Sequence, residues 1–320
     1  MFFGGGTPSL MDPGTVQAVI DAARGAWVPA NDMEITLEAN PTSVDFARFQ
    51  DFAHAGVNRV SLGVQSLDDE ALRLLGRRHN VNEALKAWDV ANKAFDRVSL
   101  DLIYARQFQE AGGWRAELEQ ALALAPRHLS LYQLTVEDGT AFGDRHARGR
   151  LPGLPTEDRG ADLWQMTQSL CAEAGLDAYE VSNHAESGQE SLHNLVYWRY
   201  GDYIGIGPGA HGRLTEGAEK RATTAERAPL RWLAAIQDDG AAATEEVLTP
   251  AEQAAEMAMM GLRLSEGIDE GRYAALNGTE FQPEALKDLL ALDLIWRENG
   301  RIGATAKGRP LLNSLLRALL

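Results

Sequence analysis

Short apolar runs and segments of helical period alternate through the first half of the chain. The apolar runs predict strands, and the amphipathic segments between them predict helices. This alternation is typical of βαβ units that share one parallel sheet, either rolled or open. Because the runs are apolar rather than strictly alternating, we expect both faces of the sheet to be covered. The predicted strands are 1–3, 35–39, 59–64, 98–103 and 129–134, and the predicted helices are about 15–25, 43–55, 67–76, 82–94 and 114–124.

The pattern is less regular further along the chain. Segment 145–155 is rich in Arg, Gly and Pro and predicts a loop. Thr156 follows it as the predicted N-cap of a helix that carries Cys171. Segment 213–230 is charged and rich in Thr and Ala, which predicts a surface crossover. Further extended stretches are predicted at 177–181 and 203–206.

A second structural unit is predicted to begin at Thr249. The sequence Thr249-Pro250-Ala251-Glu252 combines an N-cap, a proline at the first helical position and a glutamate that completes a capping box. From there to Leu320 the pattern is mainly helical, with one hairpin near 294–302, so we expect a small winged-helix-like domain. The predicted domains are 1–212, 213–248 and 249–320.

Composition and charge exclude several classes of function. The chain has 320 residues, 45% of them hydrophobic and 24% charged, as in ordinary soluble globular proteins. Its net charge of −16 disfavours binding to nucleic acid and to anionic lipid. The pattern contains neither a transmembrane segment nor a secretory signal. A single cysteine excludes a disulfide framework and fits the reducing cytoplasm, and Cys171 is expected to be a buried structural thiol.

Polar residues stand at the ends of several predicted strands. The first strand is followed by Gly4-Gly5-Gly6-Thr7-Pro8, where glycine lets backbone N–H groups approach a carboxylate or phosphate closely. A tight strand-to-helix turn is an equally good interpretation of the glycines alone. Residues at the C-terminal ends of parallel barrel strands converge on one face, so the set predicts a ligand site. Its other members are Glu38, Gln65, Asp101 and Gln133.

A second group of candidate residues begins at His193. The stretch His193-Asn194-Leu195-Val196-Tyr197-Trp198 combines one histidine with two nearby aromatic rings. Such a group could ligate a haem iron and flank the macrocycle. A structural histidine beside an aromatic corner is the simpler alternative, and chemistry alone favours it.

These motifs resemble those of the coproporphyrinogen-dehydrogenase-like radical S-adenosylmethionine (SAM) family. The resemblance lies in the glycine turn, in segments 37–41 and 56–66, and in Leu74-Leu75-Gly76-Arg77-Arg78-His79. The stretch His193 to Trp198, followed by the glycine-rich segment 201–207, resembles the HemW haem-chaperone branch, in which a His-Asn-x-x-Tyr-Trp element is associated with haem binding. The motifs occur in the family's order, and with gaps the resemblance extends from residue 2 to the end of the chain.

The resemblance implies an α/β fold, a partial (β/α) TIM-like radical-SAM barrel that lacks its first strand, followed by the smaller C-terminal domain. In such a fold SAM is held against a [4Fe–4S] cluster at the C-terminal ends of the strands. Tyr197 and Trp198 would contact haem, and His193 would be the ligand of its iron. Carried over position by position, the SAM-binding residues would be Gly5, Gly6, Thr7, Glu38, Gln65, Arg77 and Asp101.

The chain departs from the family pattern in two places. The family opens with a strand and a Cys-x3-Cys-x2-Cys loop that binds the cluster, and this sequence contains neither. We expect that a misplaced start codon or a truncation removed them, so the cluster would belong only to the full-length protein. The second departure is the segment 104–109, where relatives have a Gly-Leu-Pro turn beside the site.

The expected function is that of a cytoplasmic haem chaperone, which binds haem and transfers it to acceptor apoproteins. The alternative is an oxygen-independent coproporphyrinogen III dehydrogenase that uses SAM and the cluster. The enzyme needs the cluster absolutely, because the cofactor supplies the radical chemistry. Haem binding through His193 could persist without it. A third hypothesis is that the chain is an inert fragment. His184 and His211 are candidates for a second axial ligand, although nothing in the sequence favours either.

Overall fold

A computed structural model describes residues 1–137, 139–217 and 219–320 of the chain. The described residues form two units, Met1–Glu190 and Ser191–Leu320. Segment 191–212 therefore packs with the second unit, whereas the predicted domain 1–212 grouped it with the barrel. The predicted domain bounds otherwise stay a prediction. Within the described part of the chain, no helix is both long enough and apolar enough to cross a membrane.

The first unit contains a seven-stranded sheet in which the first five strands are parallel. Its strand order is β1-β2-β3-β4-β5-β7-β6. Strands β1 to β5 pair in parallel, whereas β7 runs antiparallel to β5 and to β6. The parallel sheet confirms the fold class of a partial barrel. The strands are β1 Phe2–Phe3, β2 Thr36–Ala39, β3 Arg59–Gln65, β4 Arg97–Tyr104, β5 His128–Gln133, β6 Asp177–Ala178 and β7 Asn183–Ala185.

Helices connect these strands and begin at the polar caps that the sequence contains. The Asp12 side chain accepts from the N–H of Gly14 at the start of the first helix, and Asn80 and Glu83 form a capping box on the fourth. Thr156 caps the helix that carries Cys171, as predicted. The helices are α1 Pro13–Ala26, α2 Phe46–His54, α3 Asp69–Leu74, α4 Val81–Ala94, α5 Ala111–Ala123, α6 Ala141–Ala147 and α7 Glu157–Glu173, with 3₁₀ turns at Pro8–Leu10 and Pro41–Ser43.

The two faces of the parallel sheet differ in chemistry. We call the side packed against the helices the outer face; its buried apolar residues include Leu37, Val60, Leu62, Leu100, Leu102 and Leu129. Alternate positions of the same strands point the other way. We call this second side the inner face, and it carries Thr36, Glu38, Arg59, Ser61, Ser99, Asp101, His128 and Ser130. Both faces are largely covered, as predicted, but the expectation of uniformly apolar strands overlooked this polar row.

The second unit contains two small antiparallel sheets and several helices. The sheet orders are β10-β9-β8 and β11-β13-β12. The helices are α8 Leu192–Trp198, α9 Pro229–Asp239, α10 Pro250–Gly261, α11 Glu270–Asn277, α12 Pro283–Ala291 and α13 Leu312–Leu319, with a 3₁₀ turn at Arg309–Leu311. The strands are β8 His211–Glu216, β9 Glu219–Ala225, β10 Ala243–Leu248, β11 Ile268–Asp269, β12 Ile295–Glu298 and β13 Arg301–Ala304.

Segment 213–248, predicted as a crossover, is instead mostly regular structure. It contributes to β8, β9, α9 and β10. Arg221, at the centre of this sheet, lies 2.9 Å from Glu219 and 3.5 Å from both Glu216 and Glu245. The apolar pattern does not predict these strands, because most of their side chains are charged residues and threonines. The predicted extended stretch at 203–206 is also wrong, except that Tyr203 forms an isolated bridge with Arg213.

The C-terminal part of the second unit follows the predicted order. The capping box at Thr249 and Glu252 starts α10, and the predicted hairpin forms between β12 and β13. The order helix, strand, two helices and a two-stranded hairpin is that of a winged-helix domain. Its core includes Met257, Leu262, Ile268, Tyr273, Leu286 and Ile302.

Candidate functional site

The inner face of the sheet gathers hydroxyl and carboxyl groups from neighbouring strands. Ser61 in β3 lies directly opposite Ser99 in β4, and Asp101 in β4 lies opposite Ser130 in β5. Because these positions alternate with buried leucines, all four side chains point to the same side of the sheet. The predicted site residue Asp101 therefore lies within a row of serines.

Asp101 is held by hydrogen bonds on both of its carboxyl oxygens. The Ser61 hydroxyl lies 2.6 Å from Oδ2 and the Ser99 hydroxyl lies 2.8 Å from Oδ1. Burial raises the pKa of Asp101, while hydrogen bonds from the serines and the positive charge of Arg59 act in the opposite direction. The group is thus anchored as an acceptor whose remaining lone pairs can meet a ligand.

Glu38 and the glycine turn after β1 lie beside each other. The backbone N–H of Gly5 donates to Glu38 Oε2 at 3.2 Å. Gly5 and Gly6 have φ values of 75° and 48°, a region that favours glycine, while Thr7 is partly buried. Burial raises the pKa of Glu38, and the nearby negative charge of Asp101 adds to the rise. The two carboxyl groups therefore share one end of the inner face.

Gln65 reaches the same end of the sheet through an irregularity in β3. The pairing of β3 with β4 shifts between Leu62 and Gln65, and Gln65 has a φ of 71°. Its side-chain nitrogen lies 2.7 Å from the point where a Cβ on Gly63 would stand, so it lies across that glycine. A side chain at position 63 would require the Gln65 amide to move from this position.

Segment 104–109, which departs from the family pattern, contacts the backbone of Gln65 through Arg106. Arg106 reaches the backbone oxygen of Gln65 at 3.5 Å and forms a buried ion pair with Glu117 on α5. Glu117 also accepts from the Ser66 hydroxyl at 2.6 Å. Ala105 has a φ of 55°, in the left-handed region that a glycine would adopt without strain. The segment therefore keeps a turn and supports the end of β3.

Arg77 is exposed on the loop that follows α3. The loop is fastened to β3 because His79 Nε2 lies 2.9 Å from the backbone oxygen of Val64. Across the described ranges the Arg77 guanidinium forms no hydrogen bond or ion pair with another side chain, so its charge can meet a carboxylate. The structure does not bring Gln133 into the group. Its amide nitrogen lies 2.8 Å from the Cβ position of Gly160 on α7, on the outer face.

Sequence reasoning missed several inner-face residues. His128, Ser99 and Ser130 are almost completely buried, and Tyr132 stands beside the carboxyl groups. Burial raises the pKa of Tyr132, and the negative charge of Asp101 contributes. The sequence does contain a signal for these residues, because a polar residue stands at every second position. His128-Leu129-Ser130-Leu131 is an example, although its leucines also fit an apolar run.

The second candidate group lies on α8 of the second unit. His193 and Tyr197 are one helical turn apart and so share a face. Their ring centroids are 4.6 Å apart in an edge-to-face arrangement, and Tyr197 makes a similar contact with Tyr203 at 4.2 Å. His193 and Tyr197 are both partly buried, which leaves part of each ring accessible.

Trp198 belongs to different surroundings from those of His193. It lines a cavity of about 400 Å³ within the second unit, together with Met257, Gly261, Leu264, Ile268 and Arg272. The Arg263 guanidinium lies over its ring at 5.3 Å. Of the candidate second axial ligands, His184 is buried in β7 of the first unit and His211 is exposed. The aromatic set is therefore divided between the His193–Tyr197 face and this cavity.

Family models match both ends of the chain. Residues 1–106 match the Radical SAM superfamily, and residues 248–311 match the HemN C-terminal domain. The first match covers β1 to β4 together with the glycine turn, Glu38, Gln65 and Asp101. The second match covers the winged-helix elements.

Relatives extend the similarity over the whole chain. Radical S-adenosyl methionine domain-containing protein 1, mitochondrial, from Bos taurus is 39% identical over 100% of this chain and 75% of its own length. The haem chaperone HemW of Bacillus subtilis is 32% identical over 100% of this chain and 85% of its own length. The structure of coproporphyrinogen III oxidase (HemN) from Escherichia coli superposes with a TM-score of 0.79 at 20% identity, covering 99% of this chain and 76% of that one. This structural likeness shows the fold.

The residues present fit SAM but not an iron–sulfur cluster. The acceptors Glu38 and Asp101, the open glycine turn and the unpaired Arg77 complement the amino, hydroxyl and carboxylate groups of SAM. The one cysteine, Cys171, is fully buried on α7, and burial raises the pKa of its thiol to about 12. Among the described residues, moreover, no three His, Cys, Asp or Glu side chains are grouped to hold a metal ion. No step can be derived through a cluster bound by these residues.

Proposed function

This chain belongs to the HemW-type branch of the radical SAM superfamily, and we propose that it binds haem and passes it to acceptor apoproteins. Relatives that span the chain include a protein named as a haem chaperone. The observation that carries the proposal is the His193–Tyr197 pair on α8, which combines an imidazole with a flanking aromatic ring. These are groups that haem sites in proteins use.

His193 is the proposed ligand of the haem iron. A partly buried imidazole can coordinate iron through one nitrogen, while burial of the macrocycle against aromatic rings excludes water. Tyr197 would pack beside the iron ligand, because it lies on the same face of α8. Trp198 would contribute through the cavity that it lines, where Arg272 could meet a propionate at the rim.

We further propose that the mouth of the barrel holds SAM. Gly5, Gly6 and Thr7 would receive its methionine end, Arg77 would pair with its carboxylate, and Glu38, Gln65 and Asp101 would accept or donate hydrogen bonds around the rest of the molecule. In this superfamily a cluster together with SAM would supply radical chemistry, and for this chain the proposal is that bound SAM controls haem transfer. The residues of this chain contribute binding and orientation.

Net charge and the single cysteine indicate which partners and which compartment suit the proposed haem chaperone. A net charge of −16 favours protein and haem partners over nucleic acid. A lone buried thiol suits a reducing compartment, and we propose the cytoplasm. Coproporphyrinogen oxidation is the second candidate, and the likeness to that enzyme, at 20% identity, extends to the fold alone.

Haem titration followed through the Soret band tests the proposal. We expect His193→Ala to weaken haem affinity by roughly 10- to 100-fold, because it removes the iron ligand. His54→Ala is the control, since His54 is exposed on α2 and has no part in either proposed site. Equal affinity of wild type and His193→Ala would contradict the proposal. Transfer is then measured by mixing the haem-loaded chain with an apo haem protein and following that protein's own absorbance.

A further inference from the structure

The hydrogen bonds of Asp101 continue along the inner face, away from the proposed SAM site. Ser99 Oγ lies 2.8 Å from His128 Nδ1, and His128 Nε2 lies 2.9 Å from the Tyr179 hydroxyl. His128 is 3% exposed and Tyr179 is 8% exposed, so water does not compete freely for these contacts. We call the series Tyr179, His128, Ser99 and Asp101 the inner-face chain. Its members other than Asp101 have no part in the SAM site proposed above.

Counting protons assigns a direction to the inner-face chain. When Asp101 is ionised its carboxylate can only accept, so Ser99 then gives its one hydroxyl proton to Asp101 Oδ1 at 2.8 Å. His128 Nδ1, at 2.8 Å from the same hydroxyl, must then carry a proton and donate it to Ser99. In a neutral ring Nε2 is left as an acceptor, and the Tyr179 hydroxyl donates to it.

The surroundings of His128 favour the neutral ring. Burial holds the pKa of His128 well below its usual range, and the positive charges of Arg59 and Arg97, with a smaller contribution from the His184 ring, add to the effect. These groups face His128 from β3, β4 and β7, while Tyr179 faces it from the segment between β6 and β7. A proton on Asp101 Oδ1 would reverse every donor in the series and move the histidine proton to Nε2, whereas a proton on Oδ2 would be donated to Ser61. The tautomer of His128 therefore reports the state of the carboxyl group.

We propose that His128 is a positioning residue for Asp101. As the neutral Nδ1–H tautomer it fixes Ser99 as a donor to Oδ1, while Ser61 donates to Oδ2 at 2.6 Å. The carboxyl group is thereby held in one orientation, with its remaining lone pairs directed to donors of the ligand at the mouth. The effect on SAM rests on the proposed function, whereas the tautomer and the direction of the chain do not.

The first experiment determines the tautomer in the protein without ligand. A long-range ¹H–¹⁵N correlation spectrum of the labelled chain distinguishes Nδ1–H, Nε2–H and imidazolium, and the His128 signals among the seven histidines are identified by their loss in His128→Asn. We expect a neutral Nδ1–H ring at neutral pH. An Nε2–H ring or an imidazolium would overturn the proposal. Tyr179→Phe should shift the ring toward Nε2–H, since it removes the donor to that nitrogen.

The second experiment compares two substitutions that keep opposite halves of the imidazole. In His128→Asn the side-chain amide nitrogen takes the place of Nδ1 and can donate to Ser99. In His128→Gln the amide nitrogen takes the place of Nε2, so it cannot donate to Ser99. We expect SAM affinity, measured by isothermal titration calorimetry, to fall about tenfold in His128→Gln and to be retained in His128→Asn. If His128 had only a structural role, the two variants would lose SAM affinity equally. Equal losses of SAM affinity would therefore overturn the positioning role.

The outcomes separate this proposal from the SAM site on which part of it rests. If wild type binds no SAM, the proposed SAM site fails, while an Nδ1–H tautomer still supports the direction of the chain and an Nε2–H tautomer still overturns it. Should both His128 variants fail to fold, as judged by circular dichroism, Tyr179→Phe replaces them in the titration. It is then expected to shift the ring toward Nε2–H and to weaken SAM binding, and unchanged affinity with an unchanged tautomer would overturn the proposal.

Discussion

The two faces of the parallel sheet use the same strands for different purposes. Leu100 and Ser99 are neighbours in β4 and both are completely buried. Leu100 contributes to the apolar core beneath the helices, whereas Ser99 contacts Asp101, His128 and Ser130 through one hydroxyl group. The difference teaches that burial alone does not identify the role of a residue in this sheet.

The polar groups of the inner face, where we propose the SAM site, have a different energetic requirement from the leucines of the outer face. Burying a leucine stabilises the fold by about 2 kcal/mol, whereas a buried polar group costs free energy unless it is hydrogen-bonded. The inner face meets that requirement by linking its polar groups to one another. A face built for stability alone would repeat the leucines of the outer face, so the polar row supports the proposal that a ligand is recognised there.

The largest expected effect lies at the base of the inner face. Glu34 is buried beside Arg59 at 3.9 Å and pairs with Arg97 at 2.9 Å. Glu34→Gln leaves these guanidinium groups without their acid, so we expect the free energy of unfolding to fall by about 4 kcal/mol. Urea titration measures it. As a control, Glu119→Gln in an exposed pair with Arg115 should lower the free energy of unfolding by less than about 0.5 kcal/mol. Similar losses in both variants would contradict the expectation that the buried pair matters more than the exposed one.

A smaller loss is expected on the outer face. Leu100→Ala leaves a cavity in the core and should lower the free energy of unfolding by about 3 kcal/mol, with SAM affinity nearly unchanged. Ser99→Ala, one residue away, should lower it by about 1 to 2 kcal/mol and weaken SAM binding. Thermal unfolding and calorimetric titration of the same samples provide both values. The comparison of faces fails if Leu100→Ala impairs SAM binding more than Ser99→Ala.

The smallest expected effect concerns pH. The folded-state pKa of Asp101 is raised by burial, so the folded protein holds more protons than the unfolded chain between the ordinary and the raised pKa. Its contribution to stability is therefore complete below the ordinary pKa and is lost as pH rises through the raised one. Asp101→Asn should flatten this decline and slightly stabilise the protein at neutral pH, while weakening SAM binding.

Urea midpoints measured across acidic to neutral pH check this prediction. Asp51→Asn is the control, because that carboxylate is exposed on α2 and should leave the pH dependence as it is. A steeper decline in Asp101→Asn than in wild type would mean that the inner face stabilises the ionised carboxylate more strongly than burial opposes it.

Much of the first unit could be predicted from local pattern. The strands and most helix caps follow from apolar runs and from residues such as Thr156, because local hydrogen bonding and periodicity act over a few positions. The sheet at 213–248 was missed because its strands carry ion pairs such as that of Arg221 instead of apolar side chains. His128 was missed because its partners, Ser99 and Tyr179, are 29 and 51 residues away in the chain.

By itself the sequence determined the family, the order of βα units, the glycine turn and the carboxyl groups of the mouth, since these depend on residue identity and on spacing along the chain. Only the tertiary structure decided which side each strand residue faces, that Gln133 turns outward, and that Trp198 parts from His193 and Tyr197. Those outcomes depend on strand register and helix rotation, which are set by packing among distant segments. The same packing brings Tyr179, His128 and Ser99 into line behind Asp101.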